Sequence, residues 1–225
     1  SISNPDNETL EKIGQNENHL KKLAQMFAKY LLGGEAILVY GGDLRKDGFT
    51  ENLILEARVL KDRLRLTDAH LKNYLSWPIY LNDPNSVKEW IAKNIDTLKM
   101  INVDIDEKAK MLVGSEKKFI FPDTESKSYA WSRSLTKMRK KMIMESDARI
   151  CAGGRQKGYK GKMPGVLEEI LIASENKIPI YLLGGFGGIV HSVCDVIEND
   201  HISEDLTMEW QVENNLGYRG ILDKY

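Results

Sequence analysis

"ARICAGGRQKGYKGKMPGVLEEI", residues 148–170, joins a short buried-type strand to a helix through a connection rich in both glycine and positive charge. The stretch carries five glycines and five basic residues. Each glycine costs about 0.5–1 kcal/mol relative to alanine where the backbone is regular. A connection of this composition is either idle or shaped around something.

Working outward, the same arrangement recurs. "AILVYGGD" (36–43) is an apolar run ending in glycines, followed by a helical pattern in "FTENLILEARVLKDRL" (49–64) with Thr50 as its expected N-cap. "IPIYLLGG" (178–185) is followed by "GGIVHSVCDVIEND" (187–200). In "NHLKKLAQMFAKYLLGGEA" (18–36), Leu20, Leu23, Met26, Phe27, Tyr30 and Leu31 fall at helical spacing, with Gly33 and Gly34 as the stop. "SRSLTKMRKKMIMES" (132–146) is a helix with Leu135, Met138 and Met142 on one face. "MPGVLEEILIASEN" (163–176) is another, with Pro164 at its first position. "WPIYL" (77–81) reads as a strand, "NSVKEWIAKNIDTLKMINV" (85–103) as a helix, and "KKFIFPDTESKSYAWS" (117–132) as an extended piece and then loop.

Apolar strands alternating with helices predict an α/β fold, Rossmann-like and doubly wound. Its sheet is mainly parallel, with helices on both faces. The chain of 225 residues reads as a single nucleotide-binding domain, 1–225, with an insertion at about 82–128. It opens without methionine, which suggests a piece of a longer chain.

The net charge of −1 gives no general attraction to nucleic acid or membrane, so an anion site must come from local clustering. The longest apolar runs, 36–40 and 178–190, are too short and too broken by glycine to span a bilayer. Two cysteines make no disulfide framework, and the expected location is cytoplasmic.

Three glycine clusters follow expected strands: Gly41-Gly42, Gly153-Gly154, and Gly184-Gly185 with Gly187-Gly188. Ligands of open α/β sheets bind outside the carboxyl ends of the strands, where glycine admits a phosphate and helix N-termini supply N–H groups. The spacing matches neither the dinucleotide fingerprint nor the P-loop. Arg155, Lys157, Lys160 and Lys162 would focus positive potential on such a site, with Arg45 and Arg139 as further anion ligands. Glu168 and Glu169 either complement the helix dipole or turn one carboxylate into the pocket. Tyr129, Trp131 and Phe186 could stack on a base, and no His, Cys, Asp or Glu cluster has metal-ligand spacing.

"SLTKMRKKMIMESDARICAGG…PGVLEEILIASENKIPIYLL" resembles the Lonely-guy nucleotide phosphoribohydrolases, whose pattern is Met-x-x-Arg-Lys, a buried strand, then Pro-Gly-Gly-x-Gly-Thr-x-x-Glu. Arg139 falls on that family's catalytic arginine and Glu169 on its glutamate, and "AILVYGGD" is similar to its earlier Val-Tyr-Gly-Gly-Gly segment. The resemblance covers roughly 18–60 and 133–198. Thr136 stands in place of the methionine, Ala152 of the proline and Val166 of the threonine. Ten residues separate Gly154 from Gly165 where the family has one.

The broader resemblance is to the SLOG superfamily, which includes sensor domains of bacterial anti-phage systems that bind NAD-derived messengers such as cyclic ADP-ribose isomers. The resemblance implies a sensor regulating an attached effector such as a TIR, sirtuin or membrane segment, in a homo-oligomer. The implied ligand is a small-molecule nucleotide of ADP-ribose type, and no other cofactor is required. The expected ligand-binding residues are Ser3, Asn4, Gly41, Gly42, Asp43, Arg45, Thr50, Arg133, Arg139, Gly153, Gly154, Arg155, Lys160, Gly161, Gly165, Glu168, Glu169, Gly184, Gly185 and Phe186. The alternative is an N-glycosidase acting on a nucleotide, with Arg139 and Glu169 as its catalytic pair. A DNA-binding role suits the net charge least.

Overall fold

The computed structural model describes residues 1–42, 44, 48–65, 69–82, 84–114 and 118–225. In chain order the first half runs β1 (Ile2–Ser3), α1 (Asn7–Lys12), α2 (Glu17–Gly33), β2 (Leu38–Gly41), α3 (Phe49–Leu64), β3 (Leu71–Ser76), α4 (Pro84–Asn94) and β4 (Leu98–Val103). The second runs α5 (Glu107–Val113), α6 (Glu125–Met144), β5 (Arg149–Gly153), α7 (Gly165–Glu175), β6 (Ile180–Leu183), α8 (Gly188–Asn199), α9 (Met208–Asn214) and α10 (Tyr218–Leu222).

All described strand pairings are parallel. They form two three-stranded sheets, β1-β5-β6 and β2-β3-β4, with helices on both sides, so the expected Rossmann-like α/β architecture is the one present. The Tyr40 hydroxyl, on β2, donates to the Ile2 carbonyl of β1 at 2.8 Å and ties the two sheets. The segment 82–128, read as an insertion, supplies α4, β4 and α5; β4 pairs with β3 from Leu71↔Leu98 to Ser76↔Val103.

Helix α2 turns Leu20, Ala24, Ala28 and Leu32 inward at four-residue spacing, onto Leu53, Ile54 and Ala57 of α3. The small residues let the two helices approach closely, and each fully buried leucine contributes about 1.5–3 kcal/mol. On the opposite side α6 is the common support. Met138 and Met142 pack under Tyr74 and Val103, and Ile143 packs on Ile172 and Ala173 of α7. One helix therefore braces both the β2-β3-β4 sheet and α7.

Several local expectations need correcting. The strand expected at 77–81 lies at 71–76, where Lys72, Asn73 and Ser76 interrupt the apolar run, and 79–81 form a 3-10 turn. The helix expected over 85–103 ends at Asn94, and its second half is β4. The loop expected before residue 132 is already helix, because Thr124 caps α6 by accepting from the Lys127 N–H at 3.4 Å. Gly48, not Thr50, holds the N-cap position of α3, and Pro164 takes the N-cap position of α7.

Candidate functional site

A cavity of about 810 Å³ opens between the carboxyl ends of β1 and β2, the middle of α6, the 155–162 loop and the N-terminus of α7. This is where a doubly wound sheet binds ligands, because strand ends and helix starts leave backbone groups unpaired by secondary structure. Ser3, Asn4, Gly41, Gly42, Arg139, Arg155, Lys160, Gly165 and Glu169 line it, as expected ligand positions.

The other expected positions among the described residues are not in its lining. Gly153 and Gly154 have φ of 67° and 92°, and a Cβ on them would meet the Ser3 carbonyl at 2.3 Å and Ile189 Cγ2 at 2.6 Å. These two glycines let β5 pass close under β1 and α8. Gly184 packs on Cys194, whose Sγ would lie 2.9 Å from an added Cβ. Gly185 accepts from the Gln15 side chain at 3.3 Å, and Phe186 packs on the α2–α3 core. Thr50 is wholly buried in the first turn of α3. Arg133 makes a two-pronged pair with Asp106, at 3.0 and 3.2 Å. Asp43 and Arg45 lie outside the described residues.

Beneath the cavity floor lies an ionic network. Arg139 is bonded to Glu168, which is 1% exposed and also accepts from the Thr136 hydroxyl at 2.5 Å. Arg139 Nε stands 3.9 Å from Glu169. Glu169 in turn pairs with Arg149, a residue 4% exposed on β5, and accepts from the Ser1 hydroxyl. Lys162 approaches Glu168 to 3.8 Å. Burial pushes the Glu169 carboxyl pKa up. Attraction to Arg149 and to Arg139, with the Ser1 hydroxyl hydrogen bond, outweighs burial and holds it below the ordinary range. Glu169 is therefore an anion facing the cavity, while Glu168 is the anchor of Arg139.

Gly161 and Gly165 make room for that guanidinium: an added Cβ would stand 3.0 Å from Arg139 Nη1 and 2.6 Å from Nη2, respectively. The Nε–H groups of Arg139 and Arg149 are buried without a hydrogen-bond acceptor among the described residues. On the open side Arg155 and Lys160 are exposed, with no carboxylate partner among the described residues. Lys160 Nζ rests 4.5 Å above the ring of Trp131, itself a wall of the cavity.

Sequence reasoning missed Arg149 and Tyr159. An arginine inside an otherwise apolar strand was the available signal for the first, because a buried guanidinium demands a carboxylate. Tyr159 lines the cavity from within the glycine loop. Among the described residues no group of three or more His, Cys, Asp or Glu side chains could hold a metal ion, and no helix is long and apolar enough to cross a membrane.

A family model described as SLOG cluster2 matches residues 1–225, the length of the chain. No curated protein and no solved structure matches it.

Proposed function

The chain belongs to the SLOG cluster2 family, and from that premise we propose that it is a nucleotide-binding sensor domain for an NAD-derived messenger of the ADP-ribose type. The observation that carries the reading is the cavity at the strand ends, with the exposed Arg155 and Lys160, which have no carboxylate partner among the described residues, at its mouth and a carboxylate on its floor. Arg155, Lys160 and the uncapped start of α7 suit a diphosphate. Glu169 suits sugar hydroxyls, which donate to a carboxylate. Trp131 lines the wall beneath Lys160, and about 810 Å³ exceeds the room a single mononucleotide needs. Switching follows if the ligand favours one state of the protein, so the domain would act on an attached effector, such as a TIR, sirtuin or membrane segment, within a cytoplasmic homo-oligomer.

The N-glycosidase reading is favoured by one observation, the ionised Glu169 facing the cavity. Against it, Arg139 is engaged by Glu168 rather than free to polarise a leaving base. A thermal-shift screen with AMP, NAD, ADP-ribose and cyclic ADP-ribose isomers, coupled to mass spectrometry, separates the two. The expected outcome is an ADP-ribose-type ligand recovered intact, raising Tm by on the order of 5–10 °C at about 100 times its Kd. Release of free base, abolished by Glu169→Gln, would replace the sensor with the enzyme.

A further inference from the structure

The glycine loop that forms the cavity's open wall is not self-supporting. Gly158 and Tyr159 line the cavity, yet the groups that fix them come from the far end of the chain. The Gly158 N–H donates to Asn215 Oδ1 at 2.8 Å, and the Tyr159 hydroxyl donates to Gln211 Oε1. Gln156 Nε2 donates to Asp205 Oδ2 at 2.6 Å, and Ser192 Oγ of α8 donates to the same oxygen at 2.6 Å.

The supports are cross-linked. Gln211 Nε2 donates to the Asp205 carbonyl at 2.6 Å and to the Gln156 carbonyl at 3.3 Å, while Asn215 Nδ2 donates to Gln211 Oε1 at 2.8 Å. Asp205, Gln211 and Asn215 are only 7%, 5% and 7% exposed. The ring of Tyr159 also stands edge-on to Tyr218, centroids 5.9 Å apart. None of Gln156, Asp205, Gln211 and Asn215 lines the cavity.

Buried amides and carboxylates are costly unless satisfied, and here each satisfies a loop group or another member of the set. A loop with glycines at 158 and 161 otherwise has many conformations to lose on binding. Fixing it beforehand removes that loss from the binding step.

We infer that Asp205, Gln211 and Asn215 are positioning residues for the ligand site: they hold the 155–162 loop in its binding shape, so that occupancy of the cavity and the packing of α9 and α10 are coupled. The inference rests on the cavity being the nucleotide site. Coupling is reciprocal, so whatever loosens α9 also weakens the ligand, and ligand tightens α9.

The test uses the full chain with ADP-ribose as the probe, its affinity measured by calorimetry and backbone hydrogen exchange measured with and without it. Gln156→Ala removes the loop-side anchor at a partly exposed position and leaves the C-terminal helices intact. Asn215→Ala removes the acceptor from the other side. Each is expected to weaken ADP-ribose about 10-fold, or about 1.4 kcal/mol, and to speed exchange across 155–162. Asp205→Asn keeps an amide oxygen for both donors and is expected to stay within about 2-fold of the parent, whereas Asp205→Ala falls with the other two. ADP-ribose is expected to slow exchange in α9.

Variants that lower Tm but bind ADP-ribose as the parent does would overturn the positioning role. If the parent itself does not bind ADP-ribose, the ligand reading fails. The exchange data then decide the loop separately, because unchanged protection of the Gly158 amide in Asn215→Ala overturns the support itself.

Discussion

At the scale of the residue, two adjacent glutamates do different work because a helix turns them by 100° relative to each other. Glu168 faces α6 and is sealed under Arg139 and Thr136; Glu169 faces the cavity, backed by Arg149. Arg149→Met leaves Glu169 buried without its closest cation. Chemical denaturation should show a loss of about 3–5 kcal/mol, and Arg149→Lys a smaller one. Gly165→Ala is a milder change that acts on the site. Its methyl meets the end of a flexible guanidinium at 2.6 Å, so Arg139 is expected to move. Stability should fall by about 1 kcal/mol or less while ADP-ribose affinity drops several-fold, as read by calorimetry beside denaturation.

At the scale of the element, the joints decide. Helix α8 begins against the end of β5: a Cβ at Gly188, where φ is 65°, would stand 2.4 Å from the Gly154 carbonyl. Backbone cannot swing aside as an arginine can. Gly188→Ala is expected to cost roughly 2–5 kcal/mol, measured by denaturation, in contrast to Gly165→Ala. The other joint is at α5, where Asp106 accepts from Lys108 N at 3.1 Å and Ala109 N at 3.3 Å while pairing with Arg133 of α6. Burial raises the Asp106 carboxyl pKa, but the Arg133 hydrogen bond, the two backbone donors and the Arg133 charge outweigh it and hold it low. A carboxyl depressed by folding stabilises fully above its unfolded pKa, and the contribution is lost as pH falls through the folded value. Asp106→Asn should therefore flatten the acid side of the stability–pH curve and leave its alkaline side unchanged.

At the scale of the whole molecule, a net charge of −1 leaves no broad field to draw anions in, so any affinity for them is local. With Arg155 and Lys160 exposed, ADP-ribose binding should weaken several-fold between about 0.05 and 0.5 M salt as the Debye length shortens to a few ångströms. Arg155→Ser should remove much of that dependence, with Kd against ionic strength as the measurement. The sequence by itself determined the α/β class, because the runs 36–43, 147–153 and 178–185 and the helices beside them carry their periodicity in contiguous residues. Arg139 and Glu169 came forward through the resemblance of the contiguous segments around each of them to the Lonely-guy pattern. The sequence did not disclose β3 and β4, where Lys72, Asn73 and Lys99 break the apolar runs and the strands are defined by their parallel pairing with each other. Nor did it separate Gly153 and Gly154, needed for close packing, from Gly41 and Gly42, which wall the cavity. Only the tertiary structure brought Arg149 to Glu169 and Asn215 to Gly158. Contacts between residues so far apart leave no periodic trace, because whether a buried polar group is satisfied depends on which partner the fold delivers.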